Sequence, residues 1–577
     1  MVATYAAVLA VCLASVAIGQ AALALCGVRR WSWLAPAIGL GLLCAICWAT
    51  VRIGEAGVVP AVLVPLLTIA AGIYLRGRIE GGGEALRIGL PVGLGALLAA
   101  SLPFAVEGHF GILGTGFNPD MSQHLLATDR LAEGHGSQLL NQGYPLGPHS
   151  VVVALNEGLG IGIVQGFAGL TMAAAILAAP AALTLVTRPS AVALVVGLPY
   201  LVASYYAQGA FKEVIQALLV LAFVLALRES TRAWRDLPLR FVPSALLAIG
   251  SVYVYSFPGL IWPAAILVVW LAIERTPPVR PLLLASVVFL VGTLPELGRM
   301  VDFHNFETFD PNGPGLGNLF GQISPFTVLG IWPSGDFRLA PGDGAAPAFL
   351  YYLGAAFATA LLILGIRRAW PNRERAVLAG LFSVVGLYVA ARIGGTPYTS
   401  AKALEIAAPL CALTILLVRS SAGGVGEGVS PATGPATVAL VLYLVAAGMC
   451  SLLAFANAPV GPTTYSPALT SLRPLLASGS TLVIAPDQLL EDEQGAPYIA
   501  WELRGGRVCV EAESEAGGRP PTGVRFFVTE GSPPRPPFSR LKRLRLAGPY
   551  AVWERRGVVG GPSPCPLIAV RQARQGP

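Results

Sequence analysis

Lysine is nearly missing from this chain: Lys212, Lys402 and Lys542 are the only three among 577 residues, and arginine supplies the rest of the positive charge. Charge of either sign is scarce, at 12% of residues where a soluble domain carries about 25%. So little charge cannot cover the water-facing surface of a chain this long. The signatures of soluble-nucleotide chemistry are missing too: no Gly-Lys-Ser/Thr phosphate loop, no Gly-rich dinucleotide fingerprint and no nucleophile elbow. No basic stripe is interleaved with aromatics, so the net charge of +7 does not point to nucleic acid. No internal repeat is evident, which counts against a transporter built from repeated halves. The N-terminus has no basic region and no small-residue cleavage site, so it reads as a first membrane helix. Leu25 before Cys26 is a poor fit to a lipoprotein processing site.

What the chain has is apolar length. Hydrophobic residues make up 55% and the mean hydropathy is +0.67. The expected fold is an α-helical polytopic membrane protein of about 14 transmembrane helices, each stretch close to the roughly 18 residues that cross a bilayer core. The spans read as 4–26, 32–52, 57–75, 88–107, 166–187, 190–207, 213–228, 241–257, 259–274, 281–298, 346–366, 377–392, 404–418 and 436–456. Arginines fall after alternate spans: Arg29 and Arg30, then Arg76, Arg78 and Arg87, then Arg228, Arg232, Arg235 and Arg240, then Arg275 and Arg280, then Arg367, Arg368, Arg373 and Arg375, then Arg419. By the positive-inside rule these loops are cytoplasmic. The outer loops 108–165 and 299–345 and the tail then lie outside a bacterial plasma membrane. The preference for Arg over Lys, with abundant Ala, Gly and Pro, fits a high-GC bacterial coding bias. Ala422–Thr437 is Gly-rich and reads as a loose cytoplasmic loop.

Residues 1–456 thus form the expected membrane domain and 457–577 a small extracytoplasmic α/β domain. In the tail, Thr481–Pro486, Arg507–Val510, Val524–Thr529 and Tyr550–Arg555 carry strand patterns, and Tyr498–Leu503 a short helix, between Pro/Gly-rich turns. Cys12, Cys26, Cys44, Cys47, Cys411 and Cys450 lie in apolar stretches as small buried hydrophobes. Cys509 and Cys565 lie in the tail, where a disulfide and two separate thiols are both open.

Three polar clusters interrupt the apolar pattern. The first outer loop holds Phe117-Asn118-Pro119-Asp120-Met121-Ser122-Gln123-His124, then Asp129, Arg130 and Glu133, then Tyr144-Pro145-Leu146-Gly147-Pro148-His149. A carboxylate at the edge of a low-dielectric cavity is a competent general base, which makes Asp120 the candidate catalytic residue. Asp120 also reads as an N-cap of a helix over 121–133, with Gln123 completing a capping box. His124 shares a helix face with Asp120 and is a candidate substrate contact, as are Tyr144 and His149, although a local structural role for His149 is the simpler reading. Asp129, Arg130 and Glu133 read as a solvated helix face. The second cluster is Tyr205-Tyr206-Ala207-Gln208-Gly209-Ala210-Phe211-Lys212-Glu213, and the third runs from Arg392 through Thr396-Pro397-Tyr398-Thr399-Ser400-Ala401-Lys402 to Glu405. Lys212–Glu213 reads either as a weak surface pair or as a phosphate site, with Glu213 a substrate contact. Lys402 and Glu405 share a helix face, and ionisable residues at membrane depth face a cavity or a partner. Lys402 is the leading phosphate contact, with Lys212 and Arg392 beside it and Tyr398 and Glu405 as substrate contacts. Asp302, His304, Asn305, Glu307 and Asp310 match no metal template, so no metal or other cofactor is expected, and that loop reads as acceptor-binding.

With these clusters in place, the chain resembles the bacterial GT-C glycosyltransferases of the actinobacterial type. The resemblance lies in the architecture and in Asp120 before Tyr144–His149, Gln208–Glu213 and Tyr398–Lys402, over roughly residues 88–456. It implies a membrane enzyme that takes a sugar from a polyprenyl-phosphate donor and passes it to a glycan or lipid-linked acceptor outside the cytoplasm. It further implies one inverting displacement, with Asp120 as base and Lys402, Lys212 and Arg392 at the phosphate. Such enzymes carry the catalytic Asp after the first span, whereas Asp120 follows the fourth, so extra N-terminal helices are implied. The rival readings are a transporter or lipid flippase and a non-catalytic envelope scaffold.

Overall fold

The computed structural model describes every residue except 119, 135, 186–189, 275–277, 305–314, 345, 372–373, 420–434, 492–494, 517–519, 532–535, 557–564 and 566–577. Of the candidate positions, Asn305, Glu307 and Asp310, together with 422–434 of the Gly-rich loop, lie outside the described residues. The chain divides into two compact units, Met1–Asn118 with Gln142–Val460, and Pro119–Asn141 with Gly461–Pro577.

The helices in chain order begin with α1 (Val2–Leu25), α2 (Ala35–Thr50), α3 (Val58–Leu75), α4 (Gly82–Val106) and α5 (Met121–Ala132), the last of which folds with the C-terminal unit. They continue with α6 (Gly147–Leu159), α7 (Ile163–Ala181), α8 (Ser190–Gly197), α9 (Tyr200–Ala207), α10 (Phe211–Thr231), α11 (Val242–Glu274) and α12 (Val279–Thr293). The first unit ends with α13 (Leu297–His304), α14 (Ala348–Ala369), α15 (Arg375–Gly394), α16 (Pro397–Leu416) and α17 (Pro435–Ala456). Ten helical stretches among the described residues are long and apolar enough to cross a bilayer.

The first unit is a helical bundle. Its middle holds α7 and α16, buried along most of their length. Outer helices present long apolar faces, such as Leu66, Ile69 and Ile73 of α3, Leu283, Val287 and Leu290 of α12, and Val441, Val445 and Met449 of α17. Apolar faces of this extent belong in hydrocarbon. Helices α1 and α2 approach through small residues, as membrane helices do: a Cβ on Gly39 would stand 1.7 Å from the Ser15 carbonyl oxygen, and one on Gly19 would stand 1.8 Å from that of Ala35.

Three expected spans meet breaks in the helices. The stretch 190–207 is α8 and α9, separated at Pro199, whose ring cannot continue the first helix. The stretches 241–257 and 259–274 fall on α11, two helical segments that meet at a kink at Ser256, which has φ 59° and ψ −153°. Pro258 follows it and cannot donate to the carbonyl of Val254.

In the second unit, β1 (Ser480–Ala485), β2 (Arg507–Ala512), β3 (Phe526–Glu530), β4 (Leu541–Ala547) and β5 (Tyr550–Arg555) form a sheet in the order β2-β1-β3-β5-β4. Strand β1 is parallel to β2 and β3, whereas β5 is antiparallel to β3 and β4. Both faces of β1 are covered, as in a central parallel strand. Val483 and Ala485 pack on one face with Ile499 of helix α18 (Gly495–Glu502), and Leu482 and Ile484 pack on the other with Phe527 and Trp553. Cys509 and Cys565 are disulfide-bonded across 56 residues, which resolves the open question in favour of the bridge. Strand β4 (LKRLRLA) is exposed, basic and bulged. Those features protect an open sheet edge, and they hide the strand from a reading that looks for buried alternation.

Candidate functional site

The first unit joins four segments at one polar cluster. Helix α16 starts where Thr396 caps it: the Thr396 hydroxyl accepts from Thr399 N at 3.1 Å, the Thr399 hydroxyl accepts from Thr396 N at 2.8 Å, and Pro397 opens the first turn. This fixed start places Tyr398 and Lys402 four residues apart on one face. The segment between α13 and α14 lies close over Tyr398, whose backbone N donates to the Gly315 carbonyl at 3.1 Å. Gly317, at φ +55°, lies where a Cβ would stand 2.6 Å from the Tyr398 ring.

Lys402 pairs across the bundle. Its ammonium lies 3.0 Å from the Glu213 carboxylate on α10 and 4.1 Å from the Tyr398 ring centroid. The Tyr255 hydroxyl donates to the same Glu213 oxygen at 2.9 Å. Tyr255 immediately precedes Ser256, so the break in α11 sits at the cluster. Backbone held in a sparsely populated region concentrates at functional sites. Lys212 turns the other way, with its ammonium 4.0 Å from the Tyr144 ring centroid and 5.7 Å from that of Tyr255. Lys212–Glu213 is therefore not a surface pair. The adjacent charges point to different partners, and Glu213 is buried. Glu405, one turn beyond Lys402, is 0% exposed, and neither carboxylate oxygen has a hydrogen-bond partner among the described residues.

Of the sequence candidates, Lys402, Lys212, Glu213, Tyr398, Glu405 and Tyr144 belong to this one assembly. His149 is fully buried and edge-on to Tyr144, Phe167 and Phe211 at centroid separations of 6.2, 5.4 and 5.5 Å. Arg392 is exposed near the end of α15 and makes no salt bridge among the described residues.

Beside Tyr144 stands a group that periodicity alone did not single out. Arg299 donates to the Tyr144 carbonyl at 2.7 Å and lies 4.6 Å from the Trp48 ring centroid. Arg52 lies 4.7 Å from that same centroid. Glu296 accepts from the Trp48 indole and lies 3.5 Å from Arg299. The available signal was the pair Glu296 and Arg299 three apart at a helix end.

Asp120 and His124 belong to the second unit. Asp120 is half-buried at the N-cap position of α5, with φ −62° and ψ −16°. Its side chain makes no capping bond, so the capping box with Gln123 is not formed. His124 is buried. The face Asp129–Glu133 is not the solvated surface that its charge suggests, since Arg130 is 1% exposed and the Asp129 side chain is largely covered. Asp129 lies 3.6 Å from Arg504, and Arg130 lies 2.9 Å from Glu133. Burial, with Glu133 nearby, raises the Asp129 carboxyl to about 6. Burial, with Arg473 nearby, lowers Arg504 to about 10, so it stays charged at neutral pH. Among the described residues no three His, Cys, Asp or Glu side chains gather as metal ligands.

No protein-family model and no curated protein sequence matches this chain. In fold it is similar to the cryo-EM structure of the arabinofuranosyltransferase AftD from mycobacteria, with a TM-score of 0.50 and 15% identity over 83% of this chain and 40% of that one. The chain thus spans about two fifths of the length of that structure. A likeness at this identity is one of fold. This chain is a polytopic helical membrane protein, similar in fold to that structure, with a small C-terminal α/β unit.

Proposed function

We propose that this protein is a membrane glycosyltransferase that moves a sugar from a polyprenyl-phosphate donor to a cell-envelope glycan or lipid-linked acceptor outside the cytoplasm. The single observation that supports it is the buried Lys402–Glu213–Tyr255 group with Lys212 beside it, in a chain whose fold is similar to that of a membrane arabinofuranosyltransferase. Lys402, paired with Glu213, and Lys212, stacked on Tyr144, bring two ammonium groups to the cluster to meet the single negative charge of a phosphodiester donor. As the bond between the anomeric carbon and the phosphate oxygen breaks, its electron pair stays on the departing phosphate. That adds a second negative charge where Lys402 and Lys212 stabilise it. The acceptor oxygen bonds to the anomeric carbon from the opposite face and gives its proton to Asp120, so configuration inverts. The Cys509–Cys565 bridge supports an oxidising compartment for the C-terminal unit.

The test is transfer of a radiolabelled pentose or hexose from its polyprenyl phosphate to envelope glycan by the full chain in lipid nanodiscs. Wild type transfers the label. Asp120→Asn loses about 100-fold or more, the range for a general base, and Lys402→Gln loses donor use. Full activity of Asp120→Asn would remove the proposed base and the mechanism with it.

A further inference from the structure

Helix α5 starts one residue after Asp120, yet it folds with the C-terminal unit. It packs against α18, and Asp129 on α5 faces Arg504, two residues beyond the end of α18. Asp129 Oδ1 lies 3.6 Å from Arg504 Nε. The Arg504 guanidinium lies 3.6 Å from the Trp501 ring centroid and donates to the Trp501 carbonyl at 2.8 Å. Arg473 lies within electrostatic reach of Asp129 and donates to the Glu502 carbonyl. Arg504 is thus fixed in two ways, on the Trp501 ring and on its carbonyl, and presents Nε to α5.

We infer that the Asp129–Arg504 contact is a clamp through which the C-terminal unit sets the position of Asp120, so that Arg504 and Asp129 are positioning residues for sugar transfer. This rests on the reading of Asp120 as the base. Asp120 and Asp129 are nine residues apart along one helix, roughly 13 Å at 1.5 Å per residue. A pivot of about 5° at the clamp moves the base by about 1 Å, and a displacement of that size costs on the order of 100-fold in rate. Asp129 faces Glu133 and Arg130 on α5, Arg504 beyond α18, and Arg473. With its carboxyl at about 6, Asp129 gains its charge toward Arg504 as pH rises through that value.

The experiment measures kcat, donor KM and the pH profile for Asp129→Asn, Arg504→Gln and Asp120→Asn in the full chain. Asp129→Asn is isosteric and leaves the folded yield intact. The clamp requires that Asp129→Asn and Arg504→Gln each lower kcat at least 10-fold with donor KM unchanged. It also requires a wild-type inflection near pH 6 that Asp129→Asn removes. Wild-type kcat in Asp129→Asn, or an inflection that persists in it, overturns the clamp, while loss of transfer in Asp120→Asn still supports the base. Full activity of Asp120→Asn overturns the reading beneath both. If Arg504→Gln fails to fold, Asp129→Asn decides alone.

Discussion

Lys402 and Glu213 are 3.0 Å apart across helices α16 and α10, and Tyr255 donates to the same carboxylate oxygen. Each charge is tolerated inside the bundle because the other is there. Removing one partner leaves an uncompensated buried charge, at about 3–5 kcal/mol. Lys402→Gln and Glu213→Gln are each expected to lower stability by about that amount, and the double variant by less than either single one. Thermal unfolding in nanodiscs checks this. A double variant whose loss equals the sum of the singles would mean that the pair is not coupled.

Glu405 gives the contrasting case. It is fully buried, and among the described residues neither oxygen is hydrogen-bonded and no cation lies within salt-bridge distance, so no direct contact with these residues is lost when its charge is removed. Glu405→Gln keeps the shape, and its thermal stability is expected to match or exceed wild type. A clear fall in melting temperature would show that the carboxylate holds a partner it needs in the folded bundle.

The apolar helices were legible because length and hydropathy suffice for a membrane helix. The strands at Thr481, Arg507, Val524 and Tyr550 were legible because buried strands carry β-branched and aromatic runs. Strand β4 was not, since its basic, exposed residues describe an edge and not a core. Lys402, Glu213 and Tyr398 stood out because polar residues in apolar surroundings are costly, but their pairing was hidden. Spacing along one helix suggests Lys402 with Glu405, and helix packing instead delivers Lys402 to Glu213. The burial of Arg130 was likewise unreadable, because Asp129-Arg130 followed by Glu133 is a typical solvated pattern until something covers it. That residues 119–141 fold with residues 461–577 leaves no trace in local sequence.

The Cys509–Cys565 bridge ties β2 to a residue that follows β5 and closes a loop of 56 residues. Chain entropy alone assigns a crosslink of that length about 4 kcal/mol. Cys509→Ser is expected to lower the stability of the C-terminal unit by a few kcal/mol and to raise its sensitivity to protease. Thiol labelling of the denatured chain gives a direct count. Six cysteines are free, so six react without reductant and eight after reduction. Eight at the outset would mean the bridge does not form.

Asp129 makes stability depend on pH in a direction opposite to that of an ordinary paired carboxylate. Burial and Glu133 hold its carboxyl at about 6 in the folded chain, against about 3.9 when unfolded. Between those values the folded state keeps a proton that the unfolded state has released. The contribution of this residue is therefore full below about pH 4 and is lost as pH rises through about 6. At 1.36 kcal/mol for each pH unit the loss is at most about 3 kcal/mol, and the 16% of the side chain left open to solvent reduces it through screening. Asp129→Asn removes the dependence. The difference in melting temperature between wild type and this variant is expected to favour wild type at pH 4.5 and to shrink or reverse by pH 7. A difference that stays constant over that range would mean Asp129 is already ionised when the protein folds.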